Sequence, residues 1–164
     1  MYQLIYFFSL FYLRFADAKQ TKKGLWNSIH RTPKFYTWAG DTFELLSIEH
    51  LSQIQDSLRI SSVDRNYCWT GKNSEGKGAQ IDLVLESRAS RTDYLCGMKF
   101  VEGKYSITSE DEINIMNKID AFANSKMHRK THSTQLVIVT TLGLAKGRHS
   151  SIINHTVTLD DLFQ

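Results

Sequence analysis

The 164-residue sequence predicts an α/β domain, one mixed central sheet with helices packed on its faces, and three observations carry that expectation. First, Ile81–Leu85 and Tyr94–Phe100 are nearly continuous apolar runs, and Gln135–Thr140 is a third. Short unbroken runs of this kind belong to strands buried on both faces. Second, Leu45, Ile48, Leu51, Ile54 and Leu58 form an apolar stripe at helical spacings of three and four. Third, the order of elements is helix, three strands, helix, strand, short strand, which suits one sheet with helical cover.

The elements follow in order. Residues 2–17 are aromatic and apolar nearly all round, which predicts a helix buried on more than one side. They look superficially like a secretory leader ending at Ala16-Asp17-Ala18. No positive charge opens the segment, however, and Arg14 falls late in it. Its apolar run is also shorter than the ~20 residues of a membrane span. Residues 18–40 are expected to be irregular, with Lys19, Lys22 and Lys23 in a solvated turn and the single proline, Pro33, marking a boundary. The domain proper is therefore placed at 40–164, its first helix opening on Asp41 or Thr42 as N-cap.

Val63–Thr70 reads as a strand, and Gly71–Gly78 as a flexible turn rich in glycine. The polar stretch from Glu86 to Asp93 reads as the connection between two strands. A long helix is expected over about Ser109–Met127, its acidic head Ser109-Glu110-Asp111-Glu112 and its basic tail Lys126, His128, Arg129 and Lys130 both suiting the helix dipole. Gln135–Thr140 and His155–Thr158 complete the strands.

Composition narrows the function. Hydrophobic content of 41% and charged content of 23% are those of an ordinary globular protein. A net charge of +3 is compatible with nucleic acid without pointing to it. Cys68 and Cys96 both sit in strand-like runs, which suits a reducing cytoplasm, and no cysteine or histidine spacing fits zinc. There is neither a phosphate-binding P-loop nor a nucleophile elbow.

The chemistry gathers around Asp82, a carboxylate inside an apolar strand that needs a partner to offset its burial. Lys99 lies in the next strand, and alternation puts Gly97 and Lys99 on one face. Antiparallel pairing would let Asp82 and Lys99 meet, either as a plain salt bridge or as part of a site. His128 and His132 are four apart but are expected at a solvated basic end. Lys126, His128, Arg129 and Lys130, with Lys146, Arg148 and His149, form either a phosphate-contacting patch or a charged surface. Trp26, Tyr36 and Trp38 are expected to pack rather than stack on bases.

Five strings in one order carry a resemblance: GAQIDLVL, LCGMKF, the acid-headed helix, QLVIVTTLGL and TVTLDDLF, with YQLIYFFSLFYLRF upstream. Together they resemble the C-terminal domain of a group of bacterial AAA-type ATPases, a domain of the PD-(D/E)XK nuclease-like superfamily. The resemblance implies a restriction-endonuclease-like sheet and Mg2+- or Mn2+-dependent hydrolysis of DNA phosphodiesters in the cytoplasm. Asp82 would be the metal-binding aspartate, helped by Glu44 and the Met98 backbone carbonyl, and Lys99 the catalytic lysine. Gln80 would either contact substrate or be a polar strand end. Residues 1–39 would be the helical tail and linker of a preceding module, and the N-terminal helix would meet either that ATPase module or another copy, with no membrane involved. Gly97 departs from the pattern, standing where the superfamily has its second metal-binding glutamate. Impaired cleavage is the expectation, the alternative being a non-catalytic module for nucleic-acid binding or assembly.

Overall fold

Where the sequence is most continuously apolar, the chain does form paired strands. The computed structural model describes residues 7–15 and 24–164. Its strands are β1 (Arg65–Lys72), β2 (Gly78–Ser87), β3 (Thr92–Lys99), β4 (Ser133–Thr140) and β5 (His155–Thr158). They lie side by side in sequence order. The pairs β1·β2 and β2·β3 are antiparallel, whereas β3·β4 and β4·β5 are parallel. The sheet is thus mixed, as expected. The helices are α1 (Phe7–Phe15), α2 (Leu25–Ile29), α3 (Pro33–Glu49), α4 (Leu51–Ser57) and α5 (Ser109–Ala123), the last of which carries the parallel crossover from β3 to β4.

Strand alternation divides the core. Leu83, Leu85, Cys96, Met98, Val137 and Val139 face Phe43 of α3 and Ile54 of α4. Val84 and Leu95 face the opposite way, onto Ala121 and Phe122 of α5, with Trp69 closing that side. Each buried Val, Leu, Ile, Phe or Met among them contributes about 1.5–3 kcal/mol by leaving water. The Trp69 indole lies over Gly71, closer than a Cβ would allow, which explains the glycine there.

Several expectations are corrected. Pro33 does not end an irregular stretch; it begins α3, where its missing N–H costs nothing, and Thr32 caps the helix by accepting from the Phe35 N–H over 3.2 Å. The boundary drawn at residue 40 therefore falls inside a continuous helix. Phe35 and Ala39, just before it, pack with Phe15 of α1. The Leu45–Leu58 stripe is divided at His50 between α3 and α4, leaving Ile48 40% exposed. The expected helix over 2–17 is described only as Phe7–Phe15; the rest of it, and Lys19, Lys22 and Lys23, lie outside the described residues.

The second group of corrections concerns the far edge of the sheet. The polar connection between β2 and β3 is shorter than 86–93, spanning only 88–91. Glu86 pairs with Asp93 and Ser87 with Thr92 in the ladder, and the two acids are 1% and 2% exposed. They are buried because they are paired. Arg65 and Arg129 each donate Nε to Glu86 over 2.8 Å. The Nδ1 atoms of His128 and His132 lie 2.8 and 2.9 Å from the two oxygens of Asp93. These histidines are therefore not a solvated helix end. The α5 helix stops at Ala123 with Asn124 as C-cap, and the basic residues expected in its last turn follow it instead. Its start is as acidic as expected, with Thr108 and Asp111 forming a reciprocal capping box. No helix among the described residues is long and apolar enough to cross a membrane.

Candidate functional site

At the opposite end from Glu86 and Asp93, the two central strands part. The β2·β3 ladder runs from Ser87↔Thr92 to Leu83↔Cys96 and stops there, although β2 continues back to Gly78 and β3 on to Lys99. Asp82 fills the gap, its Oδ2 accepting the Met98 N–H over 2.9 Å. A backbone donor left over by the splayed ladder is thus satisfied by a side chain, and one carboxylate oxygen remains uncommitted. In an extended strand a residue's N–H and C=O point to the same edge, so with its N–H on Asp82 the Met98 carbonyl is directed to the β2 side as well.

The parted strands and α5 enclose a cleft of about 400 Å3. Gln80, Asp82, Gly97 and Lys99 line it from the sheet, and Asn114 and Lys118 from the helix. The expected acid and amine therefore do open onto one cavity. They do not form the plain salt bridge: among the described residues, no ion pair within 4.0 Å involves Asp82 or Lys99.

Glu44 approaches from α3. Its partial burial raises the carboxyl pKa, the charges of Asp82 and Asp41 raise it further, and Lys118 and then Lys99 pull it down. Glu44, Asp82, Lys99 and Lys118 accordingly share one electrostatic neighbourhood. A carboxyl whose ionisation a neighbouring carboxylate disfavours, as Asp82 does for Glu44, is an arrangement a cation relieves. The donors at hand are the free Asp82 oxygen, Glu44 and the Met98 carbonyl, all hard oxygens that suit Mg2+ or Mn2+ rather than zinc. No group of three or more His, Cys, Asp or Glu side chains among the described residues is placed to hold a metal by itself. The residues fit a hard cation that keeps several waters.

Gly97 explains the thinness of that donor set. A Cβ built there would meet only the Ile138 Cδ1, at 3.4 Å, an ordinary packing distance. A Cβ is tolerated there, so close packing does not require the glycine. Asp111, although on the cleft wall, is committed elsewhere. Burial would raise its pKa, but the N–H and hydroxyl of Thr108, then Tyr105 and the charge of Lys99, hold it low.

Other candidates resolve differently. Trp38 packs edge-on against Phe11 and Phe15, as expected of a core residue. Trp26 is 51% exposed but stacks on His30. Ser109 Oγ lies 3.3 Å from His149 Nε2, whose Nδ1 is 2.6 Å from Glu112. That is the order of a hydroxyl–imidazole–acid relay, but Ser109 is exposed on the first turn of α5 and does not line the cleft. The trio ties the 145–150 segment to the helix. Lys118 was not anticipated from sequence. Its only signal is its position seven residues after Asp111 and four after Asn114, on the same helical face.

No family model and no curated protein matches the chain. A solved structure that resembles it is the crystal structure of a protein of unknown function, AF1548, at 11% identity and a TM-score of 0.45, over 71% of this chain and 64% of that one. The present chain thus spans less than two thirds of that protein. A likeness so distant bears on neither fold nor function.

Proposed function

We propose that the cleft is a PD-(D/E)XK-type, restriction-endonuclease-like site for nucleic-acid phosphodiesters, with metal-dependent DNA hydrolysis impaired by Gly97. The observation that carries this reading is that Asp82 from β2 and Lys99 from β3 line one cavity beside a splayed strand pair, with Glu44 of α3 close enough for the charges of both to act on it. Asp82, Glu44 and the Met98 carbonyl would hold Mg2+ or Mn2+. The bound ion would supply charge neutralisation and a more acidic water. The Lys99 ammonium, free of any carboxylate within ion-pair distance, is positioned to orient water and offset charge that develops on a phosphate. The Met98 N–H fixes one Asp82 oxygen, so the carboxylate presents its other oxygen in a set direction. On this reading DNA is the substrate, and an AAA-type ATPase module or a second copy meets the N-terminal helix of this cytoplasmic domain.

Gly97 favours a second reading, a module that binds nucleic acid without cutting it. Plasmid DNA incubated with Mg2+ or Mn2+ separates the two, using the native chain, Gly97→Glu and the Gly97→Glu/Lys99→Ala double variant. Cleavage that appears or rises with Gly97→Glu and vanishes in the double variant supports the impaired nuclease. DNA binding without cleavage in any variant supports the binding module. If the native chain and Gly97→Glu neither bind nor cut DNA, both readings fail.

A further inference from the structure

We infer that Lys118 of α5 and Lys99 of β3 form a seat for a backbone phosphate that works without metal, with Lys118 as its positioning residue. The inference rests on the cleft being a nucleic-acid site and adds a residue and a binding mode to that reading.

The two lysines line the cleft from different walls, one helical and one from the sheet. Among the described residues, neither has a carboxylate within 4.0 Å, although Glu44, Asp82 and Asp111 are all nearby. Their ammonium groups remain available to an incoming anion. An anion between two ammonium groups gains charge-assisted hydrogen bonds from both.

The helical wall is also held in place. Asn117 Nδ2 donates to the Gly78 carbonyl over 3.1 Å, anchoring α5 to the start of β2. One turn-length away, Asp120 accepts from the Ser74 N–H and hydroxyl at 3.2 and 3.1 Å. Lys118 sits between these two ties, so the root of its side chain is fixed relative to the strands. Lys118 itself lines the cleft beside Asn114 and Asn117.

Gly97 now acquires a second meaning. A glutamate there would add one negative charge to a cavity that already contains Asp82 and neighbours Glu44. Its absence weakens a metal site and, by the same electrostatics, favours a bare anion. Loss of cleavage and gain of metal-free binding follow from the same substitution.

The test is binding of a fluorescein-labelled DNA duplex in EDTA across a salt series, with the native chain, Lys118→Ala, Lys118→Gln, Lys118→Arg and, as a control, Arg59→Ala, an exposed residue that does not line the cleft. Removing a hydrogen bond to a charged partner should weaken affinity about tenfold or more. The slope of log K against log salt should fall by about 1. Both changes are expected in Lys118→Ala and Lys118→Gln, with recovery in Lys118→Arg and no change in Arg59→Ala. In EDTA, Gly97→Glu should also bind more weakly than the native chain, with Mg2+ restoring it. The seat is overturned if the native chain binds in EDTA while the alanine and glutamine variants match it in affinity and slope. It is likewise overturned if the native chain binds DNA only with Mg2+, an outcome that leaves the nuclease reading standing. Loss of metal-free binding in the Lys118 variants, with no cleavage after Gly97→Glu, supports the seat and sinks the nuclease reading.

Discussion

Glu86→Gln tests what holds the end of the sheet remote from the cleft. The carboxylate is 1% exposed and takes one 2.8 Å bond each from Arg65 Nε and Arg129 Nε, with Arg88 Nε at 3.6 Å. Burial alone would raise its pKa; the hydrogen bonds from Arg65 and Arg129, together with their charges, outweigh this and hold it below the usual range. A hydrogen bond to a charged group contributes about 1.5–3 kcal/mol, which gives about 3–6 kcal/mol as a ceiling for the pair. The arginines are 44% and 47% exposed, however, and exposed ion pairs contribute only about 0.2–1 kcal/mol. Between these limits we expect a loss of about 2–3 kcal/mol at neutral pH, because two cations lose a buried counter-charge. For a chain of this size that lowers Tm by roughly 4–12 °C.

The pH dependence gives the sharper check. A carboxyl whose folded pKa is depressed stabilises the fold above its unfolded pKa, and that contribution fades as pH falls through the folded value. Urea unfolding of the native chain and Glu86→Gln should therefore differ most at neutral pH and converge as pH falls below the usual carboxylate range and through the depressed folded value. Equal stability at neutral pH, or a gap that persists undiminished into acid, would refute the reasoning.

Three further outcomes are expected. Phe122→Ala removes a ring that is fully buried and set edge-on to Trp69 at 5.4 Å; it should cost about 3–5 kcal/mol in urea unfolding and alter the near-ultraviolet dichroism of the tryptophan. Thr108→Ala breaks the capping box at the head of α5 and should cost about 0.5–2 kcal/mol, with faster amide exchange confined to the first turn. Glu44→Gln should raise the urea midpoint at neutral pH, because a carboxyl whose folded pKa is raised is held ionised at a cost. That gain should disappear in acid, where the native Glu44 is protonated in both states, and a lower midpoint at neutral pH would contradict it.

The apolar strand runs were legible because β2, β3 and β4 are covered on both faces, which erases polar alternation and makes any charge conspicuous. Asp82 and Lys99 stood out for that reason. The same logic failed at Glu86 and Asp93, which sit beside polar residues and imitate a turn. Their burial depends on Arg65, His128, Arg129 and His132, groups far away in sequence whose proximity only the fold creates. Pro33 misled because the residue that ends many helices is equally at home in a first turn. Lys118 was invisible because, on an amphipathic helix, a cleft-lining lysine and a solvated one have the same sequence signature. Glu44 was found only through resemblance; nothing in its local pattern separates it from other helical glutamates.

The central strand pair behaves like tongs riveted at one end. Paired acids, arginines and histidines clamp the Ser87–Thr92 end, while the tips near Asp82 and Lys99 are bridged across the gap by the bond from Met98. Each tip stays registered with its outer neighbour, β2 with β1 as far as Lys72↔Gly78 and β3 with β4 as far as Lys99↔Thr140, so intact ladders frame the opening on both sides.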